Sequence, residues 1–216
     1  MMPSRRTRGG AFRTIERLVY SPANYQLGMI VDAVGAAIFL LLGLRTPMSP
    51  VARIAAIVAG FAAWGFLEYA IHRWVGHGPP SIARRGHAMH HADDRAPIAA
   101  PVFVVMAGAC LIWAALALLV GAGIAALLVC GAYLGYNHYA LLHHVLHHHE
   151  VLAARVGLRR LERGHCVHHA HHDVNFGVTS TLWDRIFRTY QPEIFSRTSR
   201  SYVTSSSDSP SATSCE

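Results

Sequence analysis

The sequence predicts an all-α integral membrane protein: four transmembrane helices carrying a histidine-rich helical cap. Three observations lead there. Of 216 residues, 52% are hydrophobic and 14% charged, where soluble domains carry about 25% charged residues. Four apolar runs are long enough to cross a bilayer. All sixteen histidines lie between His72 and His172, most of them in short clusters that flank those runs.

Residues 1–20 form a basic segment with Arg5, Arg6, Arg8, Arg13 and Arg17. Phe12, Ile15, Leu18 and Val19 recur at helical spacing, so a helix lying on the membrane surface and an unstructured basic tail are both open readings. No apolar core of signal-peptide type follows directly. The membrane domain is expected over 21–195. Its first span, about 27–44, is interrupted only by Asp32, and Pro47 and Pro50 break the chain after it. The second span, about 54–71, is rich in alanine and holds Glu68 near its end. The third, about 98–120, carries no charge, and Gly121-Ala122-Gly123 turns it tightly into the fourth, about 124–142. Gly131-x3-Gly135 in that span lets a neighbouring helix approach closely. The cap is assigned to 72–97 and 143–190. Residues 196–216 are dominated by serine and threonine and predict a disordered tail.

The formal net charge is +7, and every basic residue is arginine. The arginines are split among segments flanking the apolar runs rather than gathered in one patch, which reads as membrane topology and not as a nucleic-acid surface. Five stand in the N-terminal segment, four in the 72–97 linker and eight after Leu142, against two in 45–53 and none in the glycine turn. Four spans with both termini and the cap in the cytoplasm satisfy that distribution. The histidines at the ends of the second and fourth spans then fall on the same side. None of the four cysteines forms a C-x-x-C pair, and Cys166, inside the last cluster, is read as an ordinary thiol.

Neutral imidazole is a common metal ligand, suited to iron, zinc, copper or nickel. Histidines three and four residues apart share a helix face. His87-x2-His90-His91 and His165-x2-His168-His169 repeat one i, i+3, i+4 pattern. His168, His171 and His172 offer a second register for the latter, and the earlier one is preferred. His143/His147 and His144/His148 are overlapping i, i+4 pairs, of which one can face a site. We take His143 and His147 as that pair and read His144, His148 and His149 as solvated at the headgroup level. His72 and His77 are five apart, which on one α-helix turns them about 140° away from each other. Gly76, Gly78, Pro79 and Pro80 end the helix there, so His77 is expected to swing back from the broken end. Glu68, one turn before His72, is a candidate to hold its second ring nitrogen. His138, deeper in the fourth span, either supports a ligand together with Asn137 or makes a packing hydrogen bond. The ten nitrogens of His72, His77, His87, His90, His91, His143, His147, His165, His168 and His169 suffice for two metal centres.

The ordered motifs Glu68-Tyr69-x2-His72-Arg73-x3-His77, His87-x2-His90-His91, Gly135-Tyr136-x2-Tyr139-x3-His143-x3-His147-His148 and His165-x2-His168-His169, followed by Asn175-Phe176-Gly177-Val178-Thr179-Ser180 and Leu182-Trp183-Asp184, cover residues 60–190. On them the chain resembles the fatty acid hydroxylase/sterol desaturase superfamily of membrane di-iron oxygenases. Ala140 stands where many relatives carry an acidic residue, and Arg188 replaces a usual glycine. The resemblance implies two irons, which zinc may replace in a structure, with dioxygen as co-substrate. It also implies Asn175 and Asp184 as supports to the ligands, and selects His143 and His147 over their neighbours. The expected reaction is hydroxylation of a bilayer lipid, a fatty acyl chain first. Electrons are expected from a separate cytochrome b5-like or ferredoxin/reductase donor, since no fused cytochrome b5 domain is recognised. Asn175 to Trp183 is expected to close the cap over the site. Sterol or carotenoid hydroxylation or desaturation are the alternatives within the superfamily. A non-catalytic metal-handling membrane protein is the alternative outside it, and would show one exchangeable zinc or copper instead of two tightly held irons.

Overall fold

The computed structural model describes residues 17–18, 21–96 and 99–192. The expectations for the basic N-terminal segment (Arg17 and Leu18 apart) and for the serine-rich tail fall outside these residues. The described residues contain helices and no strand. The chain divides into two compact units, up to Leu141 and from Leu142 onward.

The first unit holds α1 (Pro22–Leu44), α2 (Pro50–Ile71), a π-helical turn (His72–Gly76), α3 (Ile82–Ala92), α4 (Val102–Val120) and most of α5 (Ala122–His148). Four of these helices are long and apolar enough to cross a membrane, and the protein is an integral membrane protein. Even the shortest, α4 with 19 residues, extends about 28 Å, close to the hydrocarbon thickness. α1, α2 and α5 begin earlier than their apolar runs, α4 begins four residues later and α5 ends later, because hydropathy marks lipid contact, not helix ends. Ser21 and Ser49 cap α1 and α2 through hydrogen bonds from the Asn24 and Ala52 amides, each with a proline at the first helical position. That Ser-Pro start sets both boundaries four or five residues ahead of the expected ones. The expected three-residue turn before the fourth span is a single residue: Gly121, at φ 82°, separates α4 from α5. The fourth span also continues past 142 to His148, so His143 and His147 ride on its last turns.

Small residues let these helices touch. A Cβ at Gly60 would meet the Leu128 carbonyl, and one at Gly131 would meet the Ile57 carbonyl, so α2 and α5 cross backbone to backbone. Gly135 likewise seats the Trp64 side chain. Ala36 and Phe39 of α1 pack on Ala126, Val129, Cys130 and Tyr133 of α5, with Val105, Ala109, Trp113 and Leu116 of α4 closing the cluster. Asn24, buried on α1, donates to the Ala99 and Ala100 carbonyls and accepts from the Val102 amide, which ties α1 to the start of α4. No residue of α4 is fully buried in the chain, as suits a helix facing lipid.

The second unit holds the end of α5, then α6 (Glu150–Arg155), α7 (Arg159–Ala170) and α8 (Leu182–Ile186). Leu142, Leu146, Ala153, Phe176 and Val178 are its buried apolar residues.

Candidate metal centre

In the first unit the chain leaves α2 through a π-helical turn, where the His77 amide donates to the His72 carbonyl at 3.1 Å. This corrects the expected route for His77. The helix widens instead of breaking, and an i→i+5 hydrogen bond brings a residue five positions on back over its partner. The His72 and His77 ring centroids stand 5.4 Å apart. Gly76 permits the packing, since a Cβ there would lie 3.2 Å from the His87 ring. α3, capped by Ser81, presents His87 and His91 to this turn. His87 Nε2 lies 3.0 Å from His72 Nε2, 2.8 Å from His77 Nε2 and 2.9 Å from His91 Nε2.

Hydrogen bonding cannot account for that spacing. A ring nitrogen carries one proton or one in-plane lone pair, so His87 Nε2 can satisfy one such neighbour, and the others would set lone pair against lone pair. A cation among the four nitrogens satisfies all of them. His72, His77, His87 and His91 belong to a group whose donor atoms all lie within 4.8 Å of one another, and such a group can hold a metal ion.

The second unit repeats the arrangement. His147 Nε2 lies 3.2 Å from His143 Nε2 and 2.8 Å from His165 Nε2, which is in turn 3.2 Å from His169 Nε2. His143, His147 and His165 also fall in a group able to hold a metal. Burial, and then the neighbouring His143, His147, His169 and His168, hold the His165 imidazole well below its ordinary pKa. It is therefore neutral at pH 7, the form that binds metal.

Both i, i+3, i+4 triads divide in the same way, which the expectation of one shared face did not foresee. His87 and His91 point to their group, while the His90 ring stands 6.0 Å from each of theirs. His165 and His169 point to theirs, while the His168 ring stands 5.8 and 6.1 Å away. Residues i and i+3 differ by about 60° around a helix axis, enough to aim the middle histidine elsewhere. His90 and His168 are both buried. His168 Nδ1 donates to the Val174 carbonyl at 2.7 Å, which leaves the lone pair on Nε2. Val174 is a support that sequence reasoning missed, because a backbone carbonyl carries no side-chain signature.

The remaining candidates sort as follows. Glu68 is buried one turn before His72, whose amide bonds to the Glu68 carbonyl. His138 is exposed on α5, with its ring 5.9 Å from Phe61, and is not among the gathered donors. His171 and His172 are exposed, and the His144 ring lies 4.5 Å from that of His148 on the other i, i+4 pair. Asn175 and Asp184 both hydrogen-bond with backbone groups. Asn175, at φ 51°, donates from its amide to the Gly164 and Gln191 carbonyls and accepts from the Gln191 amide. Gly164 immediately precedes His165. Asp184, fully buried, accepts from the Phe176 and Gly177 amides and from Thr189 Oγ1. The segment expected to cover the site is thus stapled to α7 and to itself, so that Val174 is held under His168. Arg188 adopts φ 59°, a left-handed backbone that favours glycine.

Residues 57–189 match the profile of the fatty acid hydroxylase family. The chain is 31% identical over 148 residues to dihydroceramide fatty acyl 2-hydroxylase FAH2 of Arabidopsis thaliana, covering 63% of this chain and 61% of that one. It is 30% identical to fatty acid 2-hydroxylase of Rattus norvegicus, over 65% of this chain and 40% of the relative. To ceramide very long chain fatty acid hydroxylase scs7 of Schizosaccharomyces pombe it is 31% identical, over 62% of this chain and 42% of that one. The chain therefore spans only part of these relatives. The solved structure of scs7p, in which only the hydroxylase domain is visible, superposes with a TM-score of 0.70 at 23% identity, over 83% of this chain and 70% of that one, and shares its fold.

Proposed function

The chain belongs to the fatty acid hydroxylase family, and from that premise we propose that it is a membrane di-iron oxygenase hydroxylating the fatty acyl chain of a bilayer lipid. Carbon 2 is the position we assign, because the similar plant and rat proteins are named as 2-hydroxylases. The observation that carries the reading is the crowding of imidazole Nε2 atoms in each unit.

His72, His77, His87, His91, His143, His147, His165 and His169 would hold the irons, and the buried His90 and His168, turned aside from their own neighbours, complete a set of ten. Nitrogens bound about 2.1 Å from an ion stand about 3.0 Å apart at right angles and about 3.4 Å apart at the tetrahedral angle. The spacings of 2.8–3.2 Å are those of donors gathered round one cation. The irons, when bound, supply the activation of dioxygen that an unreactive C–H bond requires. The protein's own residues do the rest. Burial keeps the His165 imidazole neutral, the Val174 carbonyl fixes the His168 tautomer, and the Asn175 and Asp184 networks hold that carbonyl in place. The apolar spans give a lipid chain access from the bilayer. The arginine distribution supports placing the histidine-bearing segments in the cytoplasm, where a cytochrome b5-like or ferredoxin-type donor delivers two electrons.

Lipid mass spectrometry on cells producing the chain tests this. We expect acyl chains heavier by one oxygen, hydroxylated at carbon 2, and absent with His147→Ala. Two firmly bound irons per purified chain should accompany the activity. One exchangeable zinc or copper with no oxygenated lipid would overturn the assignment.

A further inference from the structure

Three of the six histidines that the di-iron reading leaves unused form a group of their own. His144 and His148 lie on α5 at i and i+4, with ring centroids 4.5 Å apart, the same separation as in the His143/His147 pair one residue back. The helical spacing of that pair is therefore repeated about 100° around the same helix, with the rings inclined at 32° rather than 79°. His149, at φ −138° and ψ 53°, leaves the helix directly after this pair, and its ring turns back to 5.4 Å from that of His144. His148 and His149 are exposed and His144 is partly so, which makes the group accessible from solvent. No carboxylate ligand is required, because imidazole alone binds borderline cations well.

We propose that His144, His148 and His149 form a third, exchangeable binding site for a borderline divalent cation such as zinc or copper, separate from the buried donors. The His144/His148 pair is the chelate and His149 its third arm. Such a cation meets solvent on its open positions, so it exchanges while the buried metals do not. His143 and His147 occupy the same two turns of helix, which makes this end of α5 stiffer whenever the outer site is filled.

The test uses the full chain in detergent, iron-loaded and free of any polyhistidine tag, dialysed against zinc with a competing chelator. Wild type should take up one zinc per chain more than the His144→Ala/His148→Ala variant, with iron content equal in both. His149→Ala should weaken uptake about tenfold or less, and the pair variant by more. His171→Ala/His172→Ala, which removes two other exposed histidines, should match wild type. Copper(II) in the same site should give an electron paramagnetic resonance spectrum with nitrogen splitting, lost in the pair variant. If the pair variant folds poorly, His148→Ala alone replaces it, since that side chain is exposed. Equal zinc uptake by wild type and variant, or uptake matched by release of iron, overturns the proposal. The difference is read against wild type whatever metal fills the buried groups, so the outcome does not depend on the di-iron assignment.

Discussion

Asp184 is the residue whose replacement most directly tests whether the segment after α7 holds the ligands in place. Its carboxylate is fully buried and accepts from the Phe176 amide at 2.8 Å, the Gly177 amide at 2.9 Å and Thr189 Oγ1 at 2.8 Å. Asp184→Asn keeps the shape but turns an NH2 toward one of these donors. One buried amide loses its acceptor, costing about 2 kcal/mol, and the two surviving bonds fall from charge-assisted to neutral, costing about 1 kcal/mol each. The expected loss is about 4 kcal/mol, or about 8–16 °C in the melting temperature of a chain this size. Thr189→Val removes one bond only and should cost about 1 kcal/mol. The Phe176 and Gly177 amides lie two and three residues after Val174, so the damage should reach His168: Asp184→Asn should also retain less iron than wild type, while Thr189→Val retains it. Differential scanning fluorimetry in detergent, paired with iron analysis, reads both quantities. An Asp184→Asn protein that melts within about 2 °C of wild type and holds its iron would refute the reasoning.

Three more outcomes follow from the same structure. Gly131→Val should separate α2 from α5, because its side chain would enter the Ile57 backbone, and should cost several kcal/mol, about 3 or more by analogy with overpacked cores, whereas Gly108→Ala, with open space around it, should be near neutral in the same thermal melt. Arg188→Gly relieves a left-handed backbone and should raise stability by about 0.5–1 kcal/mol, and a lower melting temperature would contradict the φ of 59°. The metal-free protein should be most stable above the ordinary imidazole pKa of about 6.5 and lose stability as pH falls below it, because an unfolded His165 takes up a proton that the buried one, with its pKa held low by burial and four neighbouring histidines, does not. Melts from pH 8 to pH 5 check the sign, and His165→Gln should flatten the slope.

Much of this protein could be read locally. The four spans follow from apolar runs, since a bilayer demands length and hydrophobicity and little else. The pairs His87/His91, His143/His147 and His165/His169 follow from helical spacing, because residues four apart meet whatever surrounds them. The Arg188 departure was visible as an odd residue before its backbone angle explained it. What depended on distant residues could not be read in this way. Periodicity places His77 on the wrong side of α2, because nothing in Arg73-Trp74-Val75 announces a π-helical turn. It places His90 and His168 with their neighbours, and the aim of each ring is settled by packing. The hydrogen bonds between the Asn175 and Asp184 side chains and the backbone were not legible either.

The sequence by itself determined that this chain crosses a membrane on four helices and carries pairs of imidazoles at their ends and on the helices that follow, because hydropathy and helical pitch are properties of consecutive residues. Only the tertiary structure decided which nitrogens crowd together, how the π-helical turn returns His77 to His72, and that a carbonyl, Val174, orients His168. Those outcomes turn on how separate segments pack and on backbone groups that every residue shares, and side-chain periodicity encodes neither.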